Sequence, residues 1–246
     1  MDDVTKKWEK LSLTDVEGNE CALIDGVIDN SFALVAKFFT KRKINLKAVA
    51  RTFQSVWKSD GNFEFSDLGN NKAFIVFTDE VDMNRVLLQS PWTFDKYLLV
   101  LHRLGENECV SSIRCDKAFF WIQISNLPSR LMTKANGELI RSSLGEVVSV
   151  DAPEGGRAWG TNMRVRVKMD ITQPLWRGRM VWLGGSDRRW VSFQYEHLPI
   201  FCYWCGKLDH DEKDCHLWIQ SNGSLNRDAQ PYGPWLRASP DHLQKP

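Results

Sequence analysis

A strand followed by a helix is encoded in the stretch FALVAKFFTKRKINLKAVARTFQSVW, which runs from Phe32 to Trp57. The first eight residues, Phe32–Phe39, are mostly apolar and predict a strand. Asn45 is a good N-cap for the helix that follows. The apolar residues of this helix recur on one face at helical spacing: Leu46, Val49, Ala50, Phe53, Val56 and Trp57. The stretch therefore predicts a β-α unit.

The residues after this unit extend it to a complete small domain. Two strands are predicted at Phe63–Leu68 and Lys72–Phe77, with a turn between them. A helix capped by Thr78 or Asp79 follows, and the run Tyr97–Leu104 predicts the last strand. Over residues 31–104 the order β-α-β-β-α-β is that of a ferredoxin-like sheet, the layout of RNA-recognition-motif (RRM) domains.

A second α+β sheet unit is predicted over residues 118–198, after a polar linker at 105–117. It opens with a strand at Phe119–Ile124, then a helix and a strand near Glu146–Val150. The run Arg164–Ile171 alternates between apolar and charged residues and predicts a strand with one charged face. Arg179–Leu183 and Arg189–Tyr195 predict a hairpin. The similar openings are consistent with two related half-domains.

Composition sets broad limits on the class of protein. The 246 residues are 43% hydrophobic and 26% charged, so a sizeable core can form, and the net charge of +1 does not identify a partner. The acidic start at Met1 lacks a secretory signal, and no apolar run has membrane-spanning length. We therefore expect the nucleus or cytoplasm as the location, with no membrane partner.

Three of the six cysteines lie in the cluster Cys202-x2-Cys205-x4-His210-x4-Cys215. Three thiolates and one imidazole are a common ligand set for four-coordinate zinc. The loop is too short to form its own core, so metal binding would supply its folding energy. We therefore predict one structural Zn²⁺ ion in a knuckle at residues 199–217. Residues 1–30 are predicted to be an acidic lead-in and 218–246 a disordered tail.

The knuckle resembles the zinc knuckle of retroviral nucleocapsid proteins. Tyr203 or Trp204 stands where those knuckles carry a base-stacking aromatic, and Gly206 with Lys207 matches their Gly-Lys step. The resemblance implies nucleic-acid contacts by these residues. Two features depart from the pattern: Asp209 replaces a usual glycine, and the loop carries more acidic than basic residues. The acidic charge leaves open a role as a docking knob for a protein partner or for a second copy of the chain.

Longer stretches resemble a plant family that joins an N-terminal domain of unknown function to this type of knuckle. The resemblance lies in Ala33–Phe39 with Val81–Val86, in Ser90–Asp95 with Leu98–Leu101, in Trp121–Pro128 and in Tyr232–Ala238. Members of that family occur in LINE-type retrotransposon proteins and in chains derived from them. The resemblance implies a gag-like nucleic-acid-binding role.

Basic residues form a second candidate contact surface. Arg164, Arg166 and Lys168 share one face of a predicted strand, and Arg177 and Arg179 follow it. Such a surface suits the phosphates of single-stranded RNA or DNA. We expect the interleaved tryptophans, among them Trp176, Trp182 and Trp190, to lie mainly in the core, since large aromatics dominate cores. Gln123 stands where an RRM has a stacking aromatic, so RRM-like stacking is not expected there.

No motif for a hydrolase, a kinase or a metalloprotease occurs in the sequence. We therefore expect a non-enzymatic protein that binds single-stranded nucleic acid with little sequence preference. The alternative is a protein-interaction module that docks through the acidic knuckle.

Overall fold

A computed structural model describes residues 32–58, 62–105, 107–140, 144–153, 155–158 and 160–239. The predicted acidic lead-in at residues 1–30 lies outside these ranges. No helix within them is long and apolar enough to cross a bilayer.

The first unit has the predicted ferredoxin-like topology. Its elements are β1 (Ala33–Phe38), α1 (Leu46–Val56), β2 (Phe63–Gly69), β3 (Lys72–Phe77), α2 (Glu80–Leu88), β4 (Trp92–Phe94) and β5 (Tyr97–Arg103). The strand order is β2-β3-β1-β5-β4, and each neighbouring pair is antiparallel. The Asn45 side chain caps α1, and the side chain of Asp79 caps α2. The short strand β4 adds an edge hairpin that the sequence pattern did not predict.

The second unit repeats this topology, which confirms the predicted second α+β sheet. Its elements are β6 (Lys117–Ser125), α3 (Lys134–Ile140), β7 (Glu146–Val150), β8 (Met163–Asp170), β9 (Gly178–Gly184) and β10 (Asp187–Tyr195). The order β7-β8-β6-β10-β9 matches that of the first sheet, strand for strand. Gly137 lets α3 lie close to the sheet, because a Cβ there would stand 2.9 Å from Val150.

The two units differ where the first carries α2. Residues 171–177 connect β8 to β9 without a helix. The core of the second unit is instead completed by apolar residues from this connection, from the end of the chain segment after β10, from the knuckle and from the tail: Leu175, Leu198, Phe201, Leu208 and Leu236.

The prediction of a disordered tail is wrong for residues 218–239. This segment completes the helix α4 (His216–Gln220), buries Leu236 and forms a parallel bridge from Arg237 to Tyr195. The sequence reading failed because the segment is polar on average, whereas its order depends on a few apolar anchors.

The sheet of the first unit is covered on both faces. Leu34, Ala36 and Phe38 pack beneath α1 and α2 in one core. On the opposite face, Val35, Leu98 and Val100 join the core of the second unit. The segment predicted as a polar linker also contributes to that joint core, since Ile113 and Cys115 are buried. The surface on which RRM domains stack bases is therefore covered in the first unit.

In the second unit, the face of the sheet opposite α3 carries no helix, and we call it the helix-free face. It presents the odd-numbered residues of β6 and the even-numbered residues of β8 and β10, since directly paired residues share a face. These include Phe119, Trp121, Arg164, Arg166, Lys168, Trp190, Ser192 and Gln194.

Candidate metal centre and nucleic-acid surface

The knuckle begins with a tight backbone turn. The Gly206 N–H donates to the Cys202 carbonyl over 2.8 Å, and the Cys202 N–H donates to the Lys207 carbonyl over 2.8 Å. Gly206 has φ +73°, and a Cβ there would stand 2.4 Å from the ring of Tyr232. Glycine is therefore required both by the backbone conformation and by the neighbouring ring.

The four predicted ligands converge. One donor atom from each of Cys202, Cys205, His210 and Cys215 lies within 4.8 Å of the other three. The sulfur of Cys205 stands 3.3 Å from Nε2 of His210. A tetrahedral zinc ion with Zn–S bonds of about 2.3 Å separates its donor atoms by roughly 3.8 Å. The residues present therefore fit a four-coordinate metal, and all four positions are filled by protein side chains.

Asp209 accounts for one of the two departures from the nucleocapsid pattern. Its carboxylate contacts Nδ1 of His210 over 2.6 Å. A proton on Nδ1 is held by this contact, and Nε2 is left as the nitrogen that faces the cysteines. Carboxylates of this kind orient histidine ligands in many metal sites.

One of the two neighbouring thiols, Cys205, favours the charged form, and Cys202 keeps its proton. The pKa of Cys205 is lowered to about 5, mainly because the Cys202 thiol donates to it, with help from the Lys207 N–H. The pKa of Cys202 is raised, because it holds the shared proton and because it is buried. A bound cation would take the place of that proton.

The acidic residues of the loop are largely engaged within the protein. Asp211 forms an ion pair of 3.2 Å with Arg42 and caps the turn at Lys213. Glu212 accepts a hydrogen bond of 3.0 Å from Gln230. Together with Asp209, three of the four acidic side chains therefore have partners in the structure.

The two aromatic residues predicted for base stacking are not open platforms. Trp204 is 7% exposed and stacks on Trp218, with ring centroids 5.3 Å apart and planes at 12°. Tyr203 packs against Phe201 at 4.9 Å, and its hydroxyl accepts a hydrogen bond from Arg237. Both rings hold the knuckle together in this arrangement, and only Lys207 of the three candidates in this loop is exposed.

Arg164 serves a buried polar network. Its guanidinium donates two hydrogen bonds to Glu196, of 2.7 and 2.9 Å, and another to Asp151 of 2.9 Å. Burial would raise the pKa of the Glu196 carboxyl, but the donors from Arg164 and Gln123 outweigh burial and lower it. With two carboxylates around it, Arg164 has little charge left for a phosphate.

Arg166 and Lys168 are placed differently from Arg164, although they lie on the same strand. Arg166 lies over the rings of Phe119 and Trp121 and donates weakly to Ser90, at 3.3 and 3.4 Å. The Lys168 ammonium lies 5.6 Å from the centre of the Phe119 ring. In the described part of the chain neither forms an ion pair with a carboxylate.

The remaining two predicted arginines contact backbone carbonyls. Arg177 is exposed, donates to the carbonyl of Pro231 and lies over the ring of Tyr232. Arg179 is half-buried and donates to the carbonyl of Ile140 over 3.0 Å.

The tryptophans that we expected in the core are at the surface. Trp182 is 71% exposed and Trp190 44% exposed, and Trp176 is exposed as well. Trp190 and Trp235, itself 55% exposed, line a groove together with Arg177, Ser125, Ser192 and Gln194. The alternation of β10 contained the signal, because Trp190 shares its parity with Arg188 and Ser192, whereas Val191 and Phe193 point to the core. We call Trp182, Trp190 and Trp235 the tryptophan surface.

Two family models match the chain. One, described as a zinc knuckle, matches residues 169–217. The other, described as a domain of unknown function (DUF4283), matches residues 28–112. These matches confirm the predicted knuckle and the predicted N-terminal domain of unknown function. The zinc-knuckle match starts at the end of β8, so it includes the β9–β10 hairpin as well as the loop.

Individual proteins show weaker similarity. An uncharacterized protein of Arabidopsis thaliana is 24% identical over 138 residues, which are 55% of this chain and 42% of that protein. The chain therefore matches less than half the length of this relative. Among solved structures, the two RNA recognition domains of Sex-lethal from Drosophila melanogaster are 17% identical, cover 55% of this chain and 85% of that chain, and give a TM-score of 0.23. The first two RRM domains of the yeast poly(U) binding protein are 15% identical, with coverage of 55% and 81% and a TM-score of 0.24. TM-scores this low do not establish a shared fold, so the fold class is assigned from the strand order of this chain.

Proposed function

We propose that this chain binds single-stranded RNA or DNA with little sequence preference, and that the tryptophan surface is where the bases stack. The observation that carries the proposal is the exposure of several large aromatic side chains beside arginines on one side of the second unit. Contiguous apolar patches on a protein surface mark sites of interaction with a partner.

The chemistry of this surface suits a single strand. Unpaired bases stack on exposed aromatic rings whatever their sequence, at about 1–3 kcal/mol per base. Arg188 pairs across the hairpin with Trp182 and so shares its face, and Arg177 lines the groove beside Trp190. Cations at these positions can contact the phosphates between stacked bases.

The knuckle contacts the segment that connects β8 to the hairpin of the tryptophan surface. We propose that it holds one zinc ion with a structural role, since three thiolates and one imidazole leave no open coordination position. Leu175, which follows β8, donates its N–H to the Gly206 carbonyl of the knuckle over 2.9 Å. The metal site is therefore tied to the connection that leads into the hairpin of the tryptophan surface.

The test is a titration of zinc-loaded protein with labelled single-stranded RNA, single-stranded DNA and duplex DNA across a range of salt concentrations. We expect micromolar binding of both single strands and weaker binding of the duplex, whose bases are not free to stack. With about three or four phosphate contacts, the slope of log K against log salt should be roughly −2 to −3. If neither single strand binds at low salt, the proposal is wrong and the tryptophan surface is a site for a protein.

The alternative function, docking through the acidic knuckle, has less support. Asp209, Asp211 and Glu212 have internal partners, so little acidic charge is free for a basic protein. The tryptophan surface favours a strand that offers both rings and phosphates.

We also propose that the protein is not an enzyme and that it has a gag-like origin in a plant retroelement. The presence of both a zinc knuckle and the DUF4283 domain, together with the similarity to a protein of Arabidopsis thaliana, supports this origin.

A further inference from the structure

A cleft of about 660 Å³ lies between the two units, at the end of the helix-free face away from the tryptophan surface. Its floor is formed by Phe119, Trp121, Arg166 and Lys168 of the second sheet. The end of α2 and the last residues of β5 form the wall on the side of the first unit. A volume of this size is typical of sites for small organic ligands, which occur often between domains.

The floor of the cleft carries two cations, and no carboxylate of the described residues lies within ion-pair distance of Arg166 or Lys168, although Asp116 lines the cleft and Glu146 pairs with Lys168 across β7 and β8. The nearby carboxylates Asp151 and Glu196 are both engaged by Arg164, and Arg166 and Lys168 contact only rings and the Ser90 oxygens among the described residues. Of the other basic residues that line the cleft, His102 contacts Glu108 and Arg103 forms an ion pair with Glu80, and Lys117 lies at the cleft as well. Burial lowers the pKa of the Arg166 guanidinium, as expected for a half-buried cation without an anionic partner.

The mouth of the cleft is apolar. Leu88 is 67% exposed and Val148 51% exposed, and both line the cleft, with Leu87 beside them. Two uncovered aliphatic side chains above a floor of rings and cations offer a place for a flat apolar group that carries an anion. A nucleotide, with its base and its phosphate, has this combination.

The position of the cleft indicates which nucleotide of a bound strand would lie in it. From the groove at Ser125 to the cleft at Phe119, strand β6 extends over roughly 20 Å. The Gln123–Glu196–Arg164 network separates these two regions, and the first unit stands across the sheet at Phe119. A strand that crosses the face from the tryptophan surface would therefore end in the cleft.

We propose that the cleft binds the phosphorylated terminal nucleotide of the single strand, with its phosphomonoester between Arg166 and Lys168. The inference rests on the proposed function, because it concerns the end of a strand that the tryptophan surface holds. A terminal phosphomonoester carries about −1.5 to −2 charges at neutral pH, more than an internal phosphodiester, and so suits two unpaired cations better.

The experiment measures the affinity of zinc-loaded full-length protein for one oligouridylate in four forms: 5′-phosphorylated, 3′-phosphorylated, without a terminal phosphate, and circular. We expect one phosphorylated form to bind about tenfold more tightly than the form without phosphate, as expected for one added charge-assisted contact. The circular form should resemble the form without phosphate. The double variant Arg166→Gln with Lys168→Gln should lose this preference. The single variant Lys168→Gln should reduce it, and it replaces the double variant if that protein folds poorly.

Two controls separate the possible outcomes. Lys43→Gln with Lys47→Gln removes the same charge elsewhere and should keep the preference, as should Lys168→Arg. Equal affinity for all four forms would overturn the inference while leaving the proposed function intact. If no oligonucleotide binds, the proposed function fails. The cleft is then probed with uridine monophosphate by NMR. If uridine monophosphate does not bind, or if it binds equally well to Lys168→Gln, the inference is overturned too.

Discussion

Asp209 is the residue at which the knuckle departs from the nucleocapsid pattern, and its contact with Nδ1 of His210 gives it a role at the metal site. We predict that Asp209→Asn lowers zinc affinity about tenfold, because partners of metal-bound histidines typically contribute factors of 10 to 100. Competition with a chromophoric zinc chelator measures the effect.

Asp214→Asn is the matched control for Asp209→Asn, since it removes an exposed acidic charge from the same loop. It should leave zinc affinity within twofold of the original value. Equal losses in the two variants would mean that only the charge of the loop matters, and the orienting role of Asp209 would then be excluded.

Glu196 offers a second test at the level of one residue. Its carboxylate is 2% exposed and accepts hydrogen bonds from Arg164 and Gln123. Glu196→Gln should lower the free energy of unfolding at pH 7 by about 2 kcal/mol, since it leaves a partly buried guanidinium with only Asp151. Urea unfolding followed by tryptophan fluorescence measures this loss.

The pH dependence of stability tests whether the charge of the Glu196 carboxylate stabilises the folded protein. Because its pKa is lower in the folded state, its contribution is present above the unfolded pKa of about 4.3 and is lost as the pH falls through the folded pKa. The stabilities of the original protein and Glu196→Gln should therefore converge below about pH 4. A constant difference down to pH 3 would show that the carboxylate does not act through its charge.

For individual residues, the sequence predicted the metal ligands better than it predicted the contacts of the other side chains. The spacing of Cys202, Cys205, His210 and Cys215 was sufficient to predict a cluster that the structure brings together. It was not sufficient for Trp204 or Arg164, since each has a partner distant in sequence or in another element: Trp218 in α4 and Glu196 after β10. Whether a side chain is free for a ligand depends on such partners.

The β9–β10 hairpin is the element on which the proposed function depends most. Trp190 lies on β10 above Gly178, where a Cβ would come within 2.6 Å of its ring. We predict that Trp190→Ala weakens single-strand binding by about 1–3 kcal/mol, because one stacking platform is lost. Trp190→Phe should retain more than half of that free energy, and fluorescence anisotropy measures both.

Trp57→Phe provides a control for the hairpin variants, because Trp57 lies in the core of the first unit, away from the helix-free face. It should lower stability without changing affinity in the folded protein. If Trp190→Ala binds as tightly as the original protein, the hairpin has no part in base stacking.

At the scale of elements, strands and helices with a clear hydrophobic periodicity could be predicted from the sequence, and the short edge strand could not. The alternation of Arg164–Ile171 gave both β8 and its charged face, and Asn45 gave the start of α1. The edge strand β4 has only three residues, too few for a period to appear. The replacement of a second helix by the knuckle was also not predictable, because it depends on packing between distant segments.

For the whole molecule, the knuckle is part of the core of the second unit. Phe201 and Leu208 belong to the same cluster as Phe120, Val167 and Phe193 of its sheet. From the sequence we would expect loss of the metal to unfold the loop alone, since the loop is short and lies after the last strand. The packing predicts a wider effect, because the loop fills the place that α2 fills in the first unit.

We predict that Cys205→Ser, or removal of zinc by a chelator, destabilises the second unit and not only residues 199–217. Metal binding supplies the folding energy of a closed cysteine–histidine site, so without it Phe201 and Leu208 no longer complete the core. Hydrogen exchange should show lost protection in β6, β8 and β10, while α1 and β3 retain theirs because their helix-side core is separate. Cys109→Ser, at an exposed cysteine outside the cluster, should change nothing. Protection lost only after residue 198 would instead mean that the sheet is stable without the knuckle, and that the tryptophan surface can form and bind a strand in the absence of metal.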